Sequence, residues 1–125
     1  MSAAEEMLAL HLKADKICYQ REVQEIIPGR KFKFDFWCAK FRFPVVIDGF
    51  RASLDAKNYD YKQVLVEVQG GVWLKGKSGH SSGTGITRDC EKLSLAAVHG
   101  YRTIVVTPAQ IKSGKAVEWI KAALA

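Results

Sequence analysis

Glu67 and Gln69 stand two residues apart at the end of an apolar run, where their oxygen atoms suit a hard divalent cation. The run extends from Val64 to Gln69 and is followed by two glycines. Side chains of a strand alternate between faces, so Glu67 and Gln69 share one face. Burying a carboxylate is costly without a partner, and Mg²⁺ prefers oxygen ligands of this kind. A strand end that simply hydrates both residues is an equally open interpretation.

A second strand supplies another carboxylate. Over residues 31–37, three phenylalanines alternate with other residues, which predicts a strand with the phenylalanines on one face and Asp35 on the other. If the two strands are neighbours, Asp35 and Glu67 converge on one metal ion. Taken alone, Asp35 is more simply interpreted as the partner of Lys33 or Arg30 on a solvated face.

The remaining pattern predicts the elements that must position these acids. They are a helix over 2–16, strands over 19–27, 31–37 and 64–69, a helix over 87–100, a strand over 102–107 and a helix over 114–124. Thr87 is the expected N-cap of the central helix, and Cys90 falls on its apolar side. A helix that crosses between two strands implies a parallel pair, so we expect one α/β domain over residues 1–125 with a mixed sheet. Residues 42–62 read as an added hairpin or loop.

The composition narrows the class of partner. A net charge of +6 and 48% apolar residues describe a globular domain that favours a polyanion. The three cysteines, Cys18, Cys38 and Cys90, form neither a zinc pattern nor a full disulfide set, which is typical of a reducing cytoplasm. The sequence shows no signal peptide and no long apolar run, so we expect a cytoplasmic protein without a membrane partner.

A set of residues from Asp35 to Arg102 resembles the PD-(D/E)XK nuclease superfamily, and within it the small phage-type VRR-NUC-like and very-short-patch-repair-like endonucleases. The set comprises Asp35, Glu67 to Trp73, His80, Gly83, Gly85, Asp89, Lys92 and Gly100 to Arg102. The resemblance extends over residues 22–111 and is most specific over 67–92. It implies a restriction-endonuclease-like core of order αβββαβ, with a mixed central sheet flanked by helices and a C-terminal helix. The sequence departs from the motif at Gln69, where the family usually has lysine.

The resemblance also implies a site. Asp35, Glu67 and the backbone carbonyl of Val68 are expected to bind Mg²⁺, for which Mn²⁺ can substitute. Gln69 carries no charge, so it would orient the attacking water or bind the metal. Lys92 would supply the missing cation if its helix faces the site, and Lys33 is a less favoured substitute.

Further residues complete the expected site. Glu22, His80 and Asp89 are accessory candidates, each with a plainer interpretation as a paired or exposed surface group or a helix cap. The cations expected to contact nucleic acid are Lys31, Lys33, Lys75, Lys77 and Arg88.

The function that follows is a metal-dependent DNA endonuclease, an enzyme that hydrolyses phosphodiester bonds. We expect a homodimer in the cytoplasm, the bacterial host cell for a phage-encoded chain, with branched or junction DNA among its substrates. One alternative is a non-catalytic nucleic-acid-binding module on the same fold. Another is an assembly factor whose basic surface contacts an acidic protein. The joint presence of Asp35 and Glu67 favours activity, and salt-sensitive DNA binding separates the assembly factor from the others.

Overall fold

The computed structural model describes residues 2–24, 26–41, 61–69 and 83–125 of the chain. Its elements are α1 (Ala3–Ala14), β1 (Cys18–Val23), β2 (Phe34–Phe41), β3 (Tyr61–Val68), α2 (Gly83–Val98), β4 (Thr103–Val106), α3 (Pro108–Lys112) and α4 (Lys115–Leu124). The predicted α/β class and the C-terminal helix are confirmed, and α3 is an addition. All of the predicted hairpin over 42–62 except its last two residues lies outside the described residues. Among the described helices, none is both long and apolar enough to cross a membrane.

Four strands form one mixed sheet in the order β1-β2-β3-β4. The pairs β1–β2 and β2–β3 are antiparallel, whereas β3–β4 is parallel, as a helical crossover requires. Phe36 pairs with Val66, so the next residues in the same register are Asp35 and Glu67. The register therefore brings both predicted acids to the same end of neighbouring strands.

Helices α1, α3 and α4 cover one face of the sheet, hereafter the closed face. Its buried core is Leu8, Ala9, Leu12, Phe36, Cys38, Val64, Val66, Val106, Ile111, Ala116, Ile120 and Leu124. Two of these helices begin with capping boxes, Ser2 with Glu5 and Thr107 with Gln110, which satisfy backbone donors at the helix ends. Every buried residue in this cluster is apolar, so the closed face is a conventional core.

Helix α2 and residues 26–32 cover the other face, hereafter the site face. Its buried core is Val23, Ile26, Ile27, Phe32, Phe34, Trp37, Ala39, Leu65 and Ala96. The prediction that all three phenylalanines of residues 31–37 share one face is wrong, because Phe32 and Phe34 lie here and Phe36 lies on the closed face. Phe32 precedes β2, and Phe34 is its first residue, paired with Val23 of β1 next to Glu22, whose φ of +51° departs from an extended strand. Regular alternation therefore breaks down at this end of the β1–β2 pair.

Two predictions about α2 are also wrong. The helix begins at Gly83, so Thr87 lies inside it and is not its N-cap. Cys90 is exposed, whereas Ala96 is fully buried and the Lys92 side chain is only 14% exposed. Cys90 and Lys92 are two positions apart, which places them on nearly opposite sides of a helix. The helix therefore directs Lys92 toward the sheet. A pattern of apolar residues does not predict that a charged side chain points inward.

Candidate active site

At the end of the regular β2–β3 pairing, the carboxylates of Asp35 and Glu67 accept hydrogen bonds from backbone amides of the opposite strand. The Val68 amide donates a hydrogen bond to Asp35 Oδ2 at 2.7 Å. The Asp35 amide donates to Glu67 Oε1 at 3.2 Å. Each carboxylate thus satisfies a backbone donor of the other strand, and the two strands end in a fixed pair of acids.

Lys92 reaches this pair from α2. Its Nζ lies 2.9 Å from Glu67 Oε1, and the Lys92 and Glu67 side chains are only 14% and 11% exposed. The same ammonium donates a hydrogen bond to the Lys33 carbonyl at 2.5 Å and lies 4.7 Å from the centre of the Phe34 ring. Three kinds of contact therefore fix one cation in a largely buried position, unlike a solvent-screened surface pair.

The electrostatics of the two acids are unfavourable in the absence of a further cation. Burial raises the pKa of Glu67, and repulsion by Asp35 adds to the rise while Lys92 opposes it. Burial likewise raises the pKa of Asp35, with Glu5 and Glu22 adding repulsion and the Val68 amide and Lys92 opposing. Two partly desolvated carboxylates share the charge of Lys92, so when ionised they retain an excess negative charge. That excess favours a divalent cation.

The ligand set fits Mg²⁺. Asp35 Oδ1 and Glu67 Oε2 accept no hydrogen bond from any described residue, so each acid keeps an oxygen for a metal. The amide and carbonyl of a strand residue point to the same side, so the Val68 carbonyl is expected on the side of β2, where its amide contacts Asp35. Mg²⁺ is usually bound by one or two carboxylates, with waters and substrate phosphates completing its shell. Within the described ranges no larger cluster of His, Cys, Asp or Glu is arranged for a metal.

Gln69 follows the end of β3 and is tied to β4. Its amide donates to the Val106 carbonyl at 2.8 Å, and the residue is half-buried. Its side chain makes no hydrogen bond with a described residue. The position next to Glu67 leaves the Gln69 amide group available to a ligand or a water.

Glu22 and Lys33 form a separate, weaker pair beside the acids. The Glu22 carboxylate lies 3.9 Å from Lys33 Nζ, and each side chain is 52% exposed. Glu22 has a φ of +51°, a left-handed conformation that is uncommon for residues other than glycine. Lys33 therefore pairs with Glu22 and not with Glu67, so its side chain does not take the place that Lys92 occupies.

A cleft of about 490 Å³ begins at Lys92 and extends between α2 and the segment that leads into β2. It is lined by Gln24, Lys31, Phe32, Lys33, Arg88, Asp89 and Lys92. Asp89 thus lies in the cleft, and the charged partner of Lys92 is Glu67, not Asp89. The remaining candidates, His80, Lys75 and Lys77, lie outside the described residues.

Two contributors escape sequence reasoning. Glu5 belongs to the first turn of α1, where its carboxylate caps the helix through Ser2, yet its charge also raises the pKa of Asp35. Phe34 reads as an ordinary core aromatic, yet its ring supports the Lys92 ammonium. Neither role has a signal in the sequence, because each depends on a contact between distant segments.

No family model matches the chain, and neither curated proteins nor solved structures give a match.

Proposed function

We propose that this protein is a metal-dependent DNA endonuclease with a restriction-endonuclease-like core, using Mg²⁺ to hydrolyse phosphodiester bonds. The proposal depends above all on one observation: Asp35, Glu67 and Lys92, from three elements, meet at one strand end, with Lys92 Nζ 2.9 Å from Glu67 Oε1. The element order α1-β1-β2-β3-α2-β4 and the parallel β3–β4 pair agree with such a core.

A purely structural ion pair is the main competing interpretation of this geometry. A buried ion pair is often no more stabilising than a well-packed apolar pair, because desolvation offsets the attraction. Here Asp35 adds a second, partly buried acid, which raises the pKa of Glu67 further. A site built only for stability gains nothing from that repulsion. Acids held at a cost in stability are typical of catalytic and metal sites.

The residues divide the chemistry among them. Asp35, Glu67 and the Val68 carbonyl would hold the metal. A bound Mg²⁺ supplies a water of lowered pKa and shields charge that develops on the phosphate. Lys92 carries the positive charge that Gln69 lacks, and its fixed ammonium stabilises the negative charge of the transition state. The Gln69 amide is free to orient the attacking water.

DNA is the proposed substrate because the chain carries a net charge of +6 and places its basic cleft directly beside Lys92. A homodimer would bring two such sites to the two strands of a duplex. Comparing the cleavage rates of branched, single-stranded and fully paired DNA by one protein preparation shows which of these substrates is preferred.

The test is a cleavage assay on duplex, single-stranded and branched DNA with Mg²⁺, with Mn²⁺ and with EDTA. Asp35→Asn and Glu67→Gln remove the proposed ligands, and Glu118→Gln is the matched control because Glu118 is an exposed acid on α4. We expect cleavage with either metal, none with EDTA, and loss of cleavage in the two site variants only. Cleavage that persists in both site variants or in EDTA contradicts the proposal.

Two negative results lead to the alternatives. Salt-sensitive DNA binding without cleavage identifies a non-catalytic binding module on this fold. Neither binding nor cleavage points to a protein partner for the basic surface.

A further inference from the structure

The basic cleft is a site in its own right, because neither Asp35 nor Glu67 lines it and its chemistry differs from theirs. Four cations line it, namely Lys31, Lys33, Arg88 and Lys92, against the single acid Asp89. Lys31 and Arg88 are exposed and form no ion pair with any residue in the described part of the chain. These two charges are therefore available to an anion from solution.

Phe32, the aromatic residue among the described residues that line the cleft, offers little surface for stacking. Phe32 is only 6% exposed. The guanidinium groups of Arg30 and Arg88 lie 4.6 and 5.9 Å from the centre of its ring. A base would have to displace them to stack on Phe32, whereas a phosphate can contact the Arg88 guanidinium as it stands. Arg30 is already paired with Glu91, so Arg88 is the arginine left for a ligand.

The cleft is linked to the acids through one of its lining residues. Lys92 lines the cleft and contacts Glu67, whereas Lys31 and Arg88 line it without an ion pair to either acid. A chain of phosphates laid along these cations would present one phosphate to Lys92 and its neighbours to the other two residues. Evenly spaced negative charges of this kind are the property that a nucleic-acid strand has and a single small anion lacks.

We propose that this cleft binds the backbone of one nucleic-acid strand next to the bond that is cut, through Lys31, Lys33 and Arg88 and without reading bases. The inference rests on the proposed function and adds to it the residues that hold the strand and the absence of sequence preference. Asp89 opposes the phosphates and limits the affinity. The strand is either a single strand or one strand of a duplex, since both carry the same phosphodiester charges.

The test measures binding in EDTA, so that cleavage plays no part. Fluorescein-labelled oligothymidylate and a labelled duplex are titrated with the full chain at several salt concentrations. The variants are Lys31→Ala/Arg88→Ala and Asp89→Asn. The matched control is Lys112→Ala/Lys115→Ala, which removes two exposed cations from α3 and α4 on the closed face.

We expect the Lys31/Arg88 variant to bind at least roughly tenfold more weakly at low salt, with the control near wild type. Its slope of log affinity against log salt should fall by roughly 0.7 per lost contact on a single strand, or about 0.9 on a duplex. Asp89→Asn should bind several-fold more tightly. A second oligonucleotide of scrambled sequence should bind as well as the first.

Each failure has its own meaning. Cleavage by wild type with unchanged affinity and slope in the Lys31/Arg88 variant overturns the cleft and leaves the nuclease standing. Cleft-dependent binding in a protein that never cleaves overturns the nuclease and leaves the cleft. Equal losses in the Lys112/Lys115 control show that only net charge matters, which overturns the cleft as a specific site.

Discussion

The closed face and the site face of the same sheet differ in how they are covered. Three helices, two of them with capping boxes, cover the closed face with an entirely apolar core. Among the described residues, one helix and a short segment cover the site face, whose core borders a charged cleft. The site face also holds a group that a close-packed apolar interior excludes, the Lys92 ammonium.

The same difference appears in the energetics. The described acids of the closed face take part in helix capping and surface pairs such as Glu6 with Arg21. On the site face, burial raises the pKa of both Asp35 and Glu67, and nearby Glu22 has a left-handed backbone. Local features that oppose stability gather at functional positions, while the rest of the fold compensates for them. The packing of the closed face therefore offsets the destabilising features of the site face.

Among the variants that separate the two faces, Glu67→Gln should have the largest effect. Cleavage should fall by about a thousandfold or more, because the change removes a charged metal ligand. The free energy of unfolding should change little, because relief of the repulsion by Asp35 offsets the loss of the ion pair with Lys92. Single-turnover cleavage and urea unfolding measure the two effects. A variant within tenfold of wild-type cleavage contradicts the assignment of Glu67.

Leu12→Ala tests the closed face. Leu12 is fully buried, so its truncation should lower the free energy of unfolding by about 3 kcal/mol. The folded fraction should keep its affinity for metal and DNA. Leu10→Ala on the same helix is the control, because Leu10 is 66% exposed and its loss should change stability by under about 0.5 kcal/mol. A loss of metal affinity in folded Leu12→Ala would show that the two faces are not separate.

Lys92→Met tests the charge balance of the site face. Removing the cation leaves two largely buried acids without their ion-pair partner, so stability should fall by about 2 kcal/mol. The double variant Glu67→Gln/Lys92→Met should recover most of the loss, and the cycle of the two gives their coupling. Cleavage should be lost in both. Equal stability of wild type and Lys92→Met would contradict the ion pair.

The pH dependence of stability gives a smaller effect with a defined sign. The folded state holds protons on Asp35 and Glu67 more tightly than the unfolded state, because burial raises both pKa values. Their contribution is fully present below the unfolded values, near 3.8 and 4.5, and is lost as pH rises through the folded values. Relative to Asp35→Asn/Glu67→Gln, wild type should therefore lose stability on raising the pH from about 4, as thermal unfolding over a pH series measures. A relative gain contradicts the raised pKa values.

The sequence predicts the parts of the fold that depend on local patterns and chain order. The apolar run at Val64 gives β3, the helix after Gly83 makes the β3–β4 pair parallel, and the strand pattern around Asp35 gives β2. The adjacency of Asp35 and Glu67 follows once those strands pair. These features need only periodicity and connection rules.

What escapes the sequence depends on contacts between distant segments. Lys92 points inward because its ammonium contacts Glu67, the Lys33 carbonyl and the Phe34 ring. The apolar pattern of α2 instead predicts that Cys90 lies on the buried face of the helix. The influence of Glu5 on Asp35 likewise depends on how α1 packs. Tertiary contacts of this kind override local preference at the positions where a site is built.

The most direct test of the metal site is a calorimetric titration of Mn²⁺ into wild type and into Asp35→Asn/Glu67→Gln, with Glu118→Gln as the control. Binding that saturates in wild type and in the control, and is absent in the double variant, is the result expected of a metal centre at the end of β2 and β3. The same heats in all three proteins, or none in any, would contradict it and leave Lys92, Glu67 and Asp35 as a structural ion-pair cluster.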